Sequence, residues 1–147
     1  MKKKILILMT IIWIMFIFFN SSQTAQVSGV RSGRIVSIIY DLFSWIGFDI
    51  EIGNLSIWIR KLAHVFEYLL LGILVTIIVF DMNLKISYKY IYSFTIPLLV
   101  AIVDETIQTV IPGRSGNVLD VLIDSIGIII GLIITVTIKT RRYKKIK

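Results

Sequence analysis

Ionisable side chains stand where the surrounding sequence is apolar. Lys61, His64 and Glu67 cluster at the start of one apolar block, Asp104, Glu105 and Gln108 lie in the next, and Asp120 and Asp124 in the last. Arg114 sits in the turn Pro112-Gly113-Arg114-Ser115-Gly116-Asn117 between those two blocks. These residue types suit a small range of chemistry. His64 or Glu67 could act as a general base. Lys61 and Arg114 could hold a phosphate or carboxylate. The acids could hold a hard divalent cation, Mg²⁺ or Ca²⁺, through oxygen ligands. No metal-motif spacing supports that cation, so the cofactor stays unassigned. One histidine and no cysteine exclude disulfides, thiolate zinc sites and multi-histidine sites.

Spacing puts these groups on common helical faces. Lys61, His64 and Tyr68 follow at i, i+3 and i+7, with Glu67 beside them, and Asp104 with Gln108 and Asp120 with Asp124 are at i, i+4. A charge at mid-membrane costs about 2.5–3.5 kcal/mol on insertion scales, so such residues face an interior or a wet cavity. Counted from the ends of their blocks, Glu67, Asp104 and Asp124 each lie ~9–12 Å deep at the ~1.5 Å helical rise. Three segments thus bring carboxylates to one level. Several acids so close cannot all stay ionised; they must be protonated, paired with Arg114, Lys61 or His64, or bound to a cation. Plainer roles stand beside these. Asp120 falls in the first helical turn if Asn117 is the N-cap and would then complement the helix dipole. His64 could be a satisfied bundle histidine, Lys61, Arg60 and Arg114 interfacial anchors, and Glu105 could point away from Asp104.

The elements that must position these residues follow from hydropathy. The mean hydropathy is +0.88 and only 17% of residues are charged, against roughly 25% in soluble domains. Four apolar blocks, at about 5–19, 62–80, 91–111 and 118–138, approach the ~20 residues that cross a ~30 Å hydrocarbon core. The expected fold is all-α: one domain over 1–147, a polytopic bundle of about four transmembrane helices. Between the first two spans, Ile35, Ile38, Ile39, Leu42 and Ile46 share one helical face and Arg34, Ser37, Asp41 and Ser44 the opposite one, which predicts an external amphipathic helix on the outer leaflet or a lid over the bundle. Pro97 is expected to kink the third span and Pro112-Gly113 to end it. Gly127 and Gly131 form a small-residue stripe for close helix contact. The first block admits a signal-peptide reading with cleavage after Ala25, but Gln23 is large for that site and the expected form is a retained helix.

The net charge of +7 is not a nucleic-acid signal. Eleven of 16 cations flank the apolar blocks, at 2–4, at Lys85 with Lys89, and at 139–147. With the N-terminus inside, these eleven lie on the cytoplasmic side, and Arg31, Arg34, Arg60, Lys61 and Arg114 lie outside. That bias predicts a multi-pass protein of the cell membrane with both termini in the cytoplasm.

At these residues the chain resembles the VanZ-like family. The matching stretches are Arg60-Lys61-Leu62-Ala63-His64-Val65-Phe66-Glu67-Tyr68, Asp104-Glu105 with Gln108, Pro112-Gly113-Arg114-Ser115-Gly116, and Asp120 through Asp124-Ser125 with Gly127 and Gly131; Ser21-Ser22-Gln23 also fits. The basic end of the chain departs from the pattern. The resemblance implies a small bacterial membrane protein of the cell envelope, of a Gram-positive organism, in a family whose namesake is linked to resistance to the glycopeptide antibiotic teicoplanin.

Three functions compete. The first is a polar site, enzymatic or purely binding, for an envelope lipid or lipid-linked cell-wall intermediate, built from Lys61, His64, Glu67, Asp104, Glu105, Gln108, Arg114, Asp120 and Asp124. The second is a structural or partner protein whose polar cluster fixes helix packing. The third, an ion or proton pathway, is disfavoured because the inner halves of the spans are apolar. Membrane lipid is the expected partner; oligomeric state is open.

Overall fold

Five helices follow one another: α1 (Lys2–Ser21), α2 (Ala25–Trp45), α3 (Ile52–Phe80), α4 (Ile86–Thr109) and α5 (Val118–Lys145). They belong to a computed structural model that describes residues 2–48 and 50–145. The side chains of Lys2, Arg31 and 142–147, which the charge count used, lie outside the described ones. The fold is all-helical, with no strand among the described residues. Four helices, α1, α3, α4 and α5, are long and apolar enough to cross a membrane.

Their boundaries refine the hydropathy blocks. The second spanning helix begins at Ile52, ten residues before the expected start, and continues unbroken to Phe80. Its 29 residues span about 43 Å at ~1.5 Å per residue, more than a ~30 Å hydrocarbon core needs, so its first turns project beyond the apolar block. The third spanning helix runs from Ile86 to Thr109 with Pro97 inside it. It stops before Pro112-Gly113, which instead forms the following turn: Gly113 has φ 76° and the Arg114 amide donates to the Ile111 carbonyl at 3.1 Å. That positive φ is the reason glycine stands there.

Helix α2 packs beside the projecting turns of α3. Thr24 caps its start, accepting from the Val27 amide. Its end is a Schellman motif, with Gly47 at φ 81° donating to Ser44 O and Phe48 donating to Phe43 O. The face turned to α3 carries Ser28, Gly29, Ser32, Gly33 and the buried Val36. The isoleucine face remains open: Ile38 is 68% exposed, and Ile35 and Leu42 are exposed too. The lid expectation therefore holds only for the small-residue face.

The centre of the bundle is α3. Tyr68, Leu71, Val75 and Val79 form the core with Ile17 of α1, Ala101 of α4 and Ile128 of α5. The glycine stripe sets the α3–α5 approach. A Cβ at Gly127 would collide with the Val65 carbonyl, one at Gly131 with the Leu69 carbonyl, and one at Gly72 with the Ile128 carbonyl. Backbones this close fix the register of the two helices, and dispersion at such contacts holds helices together where lipid is as apolar as leucine. Beyond the core, large apolar side chains such as Leu8, Leu99 and Ile133 are exposed, as expected for a surface solvated by acyl chains. At the end of the bundle opposite α2, Lys139 pairs with Asp81.

Candidate functional site

The locked α3–α5 register decides which polar groups meet. Val65 lies against Gly127, so the preceding residue, His64, comes beside Asp124: His64 Nδ1 and Asp124 Oδ1 are 3.6 Å apart. One turn nearer the α2 end, Lys61 Nζ pairs with Asp120 Oδ1 at 3.2 Å, both side chains partly exposed. Asp124 itself is completely buried, and neither of its carboxylate oxygens has a hydrogen-bond partner.

Helix α4 supplies the opposite wall. Asp104 is fully buried, and Glu105 and Gln108 nearly so. The Gln108 amide Nε2 reaches Glu105 Oε1 at 3.0 Å, Asp104 Oδ2 at 3.2 Å and Ser21 Oγ at 3.4 Å; with two hydrogens it shares them among three acceptors. Glu105 Oε2 also accepts from the Asn117 amide at 2.9 Å. Asn117 meanwhile caps α5 through the Leu119 amide, 3.0 Å from its side-chain oxygen. Gly116 is required next to it, because a Cβ there would strike the Glu105 carbonyl. Glu105 thus points into the cluster rather than away. One ligand atom each from His64, Asp104 and Glu105 falls within 4.8 Å of the other two.

Arg114 folds back over this cluster, but its partners are not the acids. Its Nε donates to Gln23 O at 3.0 Å, Nη2 to Asn20 O at 3.1 Å and Nη1 to Gln108 Oε1 at 3.3 Å. It therefore staples the α4–α5 turn to the end of α1, whose last carbonyls need donors. Burial and the neighbouring Arg60 push the guanidinium below its usual value, while Asp104, Glu105 and Glu67 pull the other way. An arginine starts so high that it stays a cation.

A family model, VanZ/LLP1, matches residues 6–139. The chain belongs to the VanZ/LLP1 family. No curated protein and no solved structure matches it.

In this VanZ/LLP1 protein all nine residues singled out by sequence gather at one end of the bundle. They divide into two zones. Lys61 and Asp120 form a rim pair; Asp104, Glu105, Gln108 and Asp124 are packed behind His64 and Glu67. The plain role for Asp120 is also realised, since it falls in the first turn of α5. His64 and Glu67 open onto a cleft of about 300 Å³ lined as well by Asn20, Ser28, Ser32, Arg60 and Arg114.

Sequence reasoning missed the contribution of α1. Asn20 Nδ2 donates to Glu67 Oε1 at 3.1 Å, Ser21 accepts from Gln108, and Trp13 Nε1 donates to the Glu67 carbonyl at 2.9 Å. The signal was present: Asn20-Ser21-Ser22-Gln23 closes an apolar run, but the same pattern marks a signal-peptide end. Arg60 was read only as an interfacial anchor and left out of the candidate site. It lines the cleft and forms no ion pair or side-chain hydrogen bond among the described residues, which leaves its charge available to a ligand.

Proposed function

We propose that this protein binds, and through His64 or Glu67 processes, an anionic envelope lipid or lipid-linked cell-wall intermediate. The observation that carries the reading is the cleft. Its basic groups, Arg60 and Arg114, stand beside the hydroxyls of Ser28 and Ser32 and the apolar side chains of Ile35, Ile59 and Ala63, with His64 and Glu67 also in its lining. That combination matches an amphiphile with a phosphate or carboxylate head. Glu67 can work as a base because its partner is a neutral amide, Asn20, rather than a cation.

The charge bias of the loops supports a cell-membrane protein with both termini in the cytoplasm, which turns the α2 end and its cleft outward. The open isoleucine face of α2 suits a helix resting on the outer leaflet. In a Gram-positive envelope, such a site would meet the precursors that glycopeptides target, and altered teicoplanin susceptibility is the phenotype that follows. A second reading, a structural protein whose polar cluster only fixes packing, is favoured by the Arg114 staple and by the Gln108 contacts, which join α1, α4 and the α4–α5 turn.

Lipid-precursor profiling decides between them. A deletion strain should accumulate or lose one anionic lipid-linked species. Wild-type protein should restore the profile, and Arg60→Gln and Glu67→Gln should not, although both insert normally. Restoration by both variants would leave only the packing role.

A further inference from the structure

Behind the cleft lies a set of charges that the chain itself does not balance. Glu67, Asp104, Glu105 and Asp124 are buried or half-buried, yet no described lysine or arginine forms an ion pair with any of them. His64 stands beside them, and the Arg114 guanidinium reaches them only through Gln108. Burying ionised carboxylates without partners costs several kcal/mol each. The arrangement of lone pairs is more specific than the charge. Gln108 holds Asp104 by Oδ2 and leaves Oδ1 unpartnered. Gln108 and the Asn117 amide hold Glu105 by one oxygen each. His64 Nδ1 has no hydrogen bond, and the fully buried Asp124, only 3.6 Å from that nitrogen, has two unpartnered oxygens. His64, Asp104 and Asp124 thus keep free donor atoms, and Asp104 and Glu105 are held in place by hydrogen bonds of the kind that orient metal ligands.

We infer that His64, Asp104 and Glu105, completed by Asp124, hold one divalent cation. Ligands at ~2.1 Å from one ion stand at most about 4.2 Å apart. The donor atoms of His64, Asp104 and Glu105 already lie within 4.8 Å of one another, so side-chain shifts of a few tenths of an ångström bring these three to one ion, and Asp124 stands beside them with Oδ1 3.6 Å from His64 Nδ1. One imidazole with two or three carboxylates favours a first-row ion, Mn²⁺ or Zn²⁺, over Ca²⁺, which takes six to eight oxygens. The ion would neutralise the buried acids and sit beside the cleft, since His64 lines both. The inference does not depend on the lipid reading.

The test uses the full chain purified in detergent, stripped with a chelator and given Zn²⁺, Mn²⁺ or Ca²⁺ without added lipid. Metal per chain is then counted after desalting. Wild type should retain one Zn²⁺ or Mn²⁺ and release Ca²⁺. Asp104→Asn and Asp124→Asn should bind at least about tenfold more weakly, while Asp81→Asn, at the opposite end of the bundle, should bind like wild type. The wild-type measurement stands even if a variant fails to fold, and a raised unfolding midpoint on adding Zn²⁺ or Mn²⁺ reads the same event. A wild-type chain that keeps no ion would overturn the inference and mean that the acids are protonated. Equal binding by the Asp104 and Asp124 variants, or retention only when lipid is present, would overturn it too. Failure of the lipid reading would instead leave precursor profiles unchanged and metal retention intact.

Discussion

His64 on α3 stands 3.6 Å from Asp124 on α5, and the contact is set by the neighbouring residues, Val65 and Gly127, whose backbones touch. Chemistry and packing are therefore joined at one helix crossing. Gly127→Ala should lower stability by roughly 1–3 kcal/mol, the usual cost of overpacking a tight contact, and should part the His64–Asp124 pair. Gly53→Ala, where a Cβ meets nothing within 4 Å, should be neutral or slightly stabilising. Thermal unfolding in detergent compares the two; equal midpoints would mean the crossing has slack.

Charge removal at constant shape separates function from folding. Glu67→Gln, Asp104→Asn and Asp124→Asn should each abolish complementation while the protein still accumulates in the membrane. In the chelator-stripped chain, Asp124→Asn removes a buried carboxylate that lacks hydrogen-bond partners, so its unfolding midpoint should hold or rise. Full activity in all three variants would deny the cluster a chemical role.

Water access should follow the two zones of the site. In this cysteine-free chain, Ser32→Cys and Ala63→Cys line the cleft and should react with a membrane-impermeant thiol reagent added outside intact cells. Asp124→Cys, fully buried behind His64, should react at least tenfold more slowly. Ile134→Cys, on the acyl-chain face, should not react. Rapid labelling at Ile134 from outside would reveal a through-path and revive the transport reading.

The first helix should remain part of the mature protein with its N-terminus in the cytoplasm. Asn20, Ser21 and the Gln23 carbonyl all hold site residues, so cleavage after Ala25 would detach partners of Glu67, Gln108 and Arg114. Intact-mass measurement of protein from membranes reads this directly, and a reporter fused after Lys147 should be active only in the cytoplasm. A chain beginning near residue 26, or an external reporter signal, would refute the topology.

The sequence by itself determined the class of the molecule and which ionisable residues stand within its apolar segments. Four apolar blocks broken by acids are legible because hydropathy is a local sum, and i, i+3, i+4 spacing fixes which side chains share a helix face whatever surrounds it. Tertiary structure alone decided who meets whom. Arg114, one candidate partner for the acids, lies over them yet binds the carbonyls of Asn20 and Gln23, because the α4–α5 turn lands on the end of α1. Asn20 and Ser21 became site residues for the same reason. The open face of α2 is likewise a tertiary outcome: the side turned to α3 carries Ser28, Ser32 and the buried Val36, which leaves Ile35, Ile38 and Leu42 outward. Each of these outcomes depends on contacts between residues distant in the chain, and the periodicity within a single segment carries no record of them.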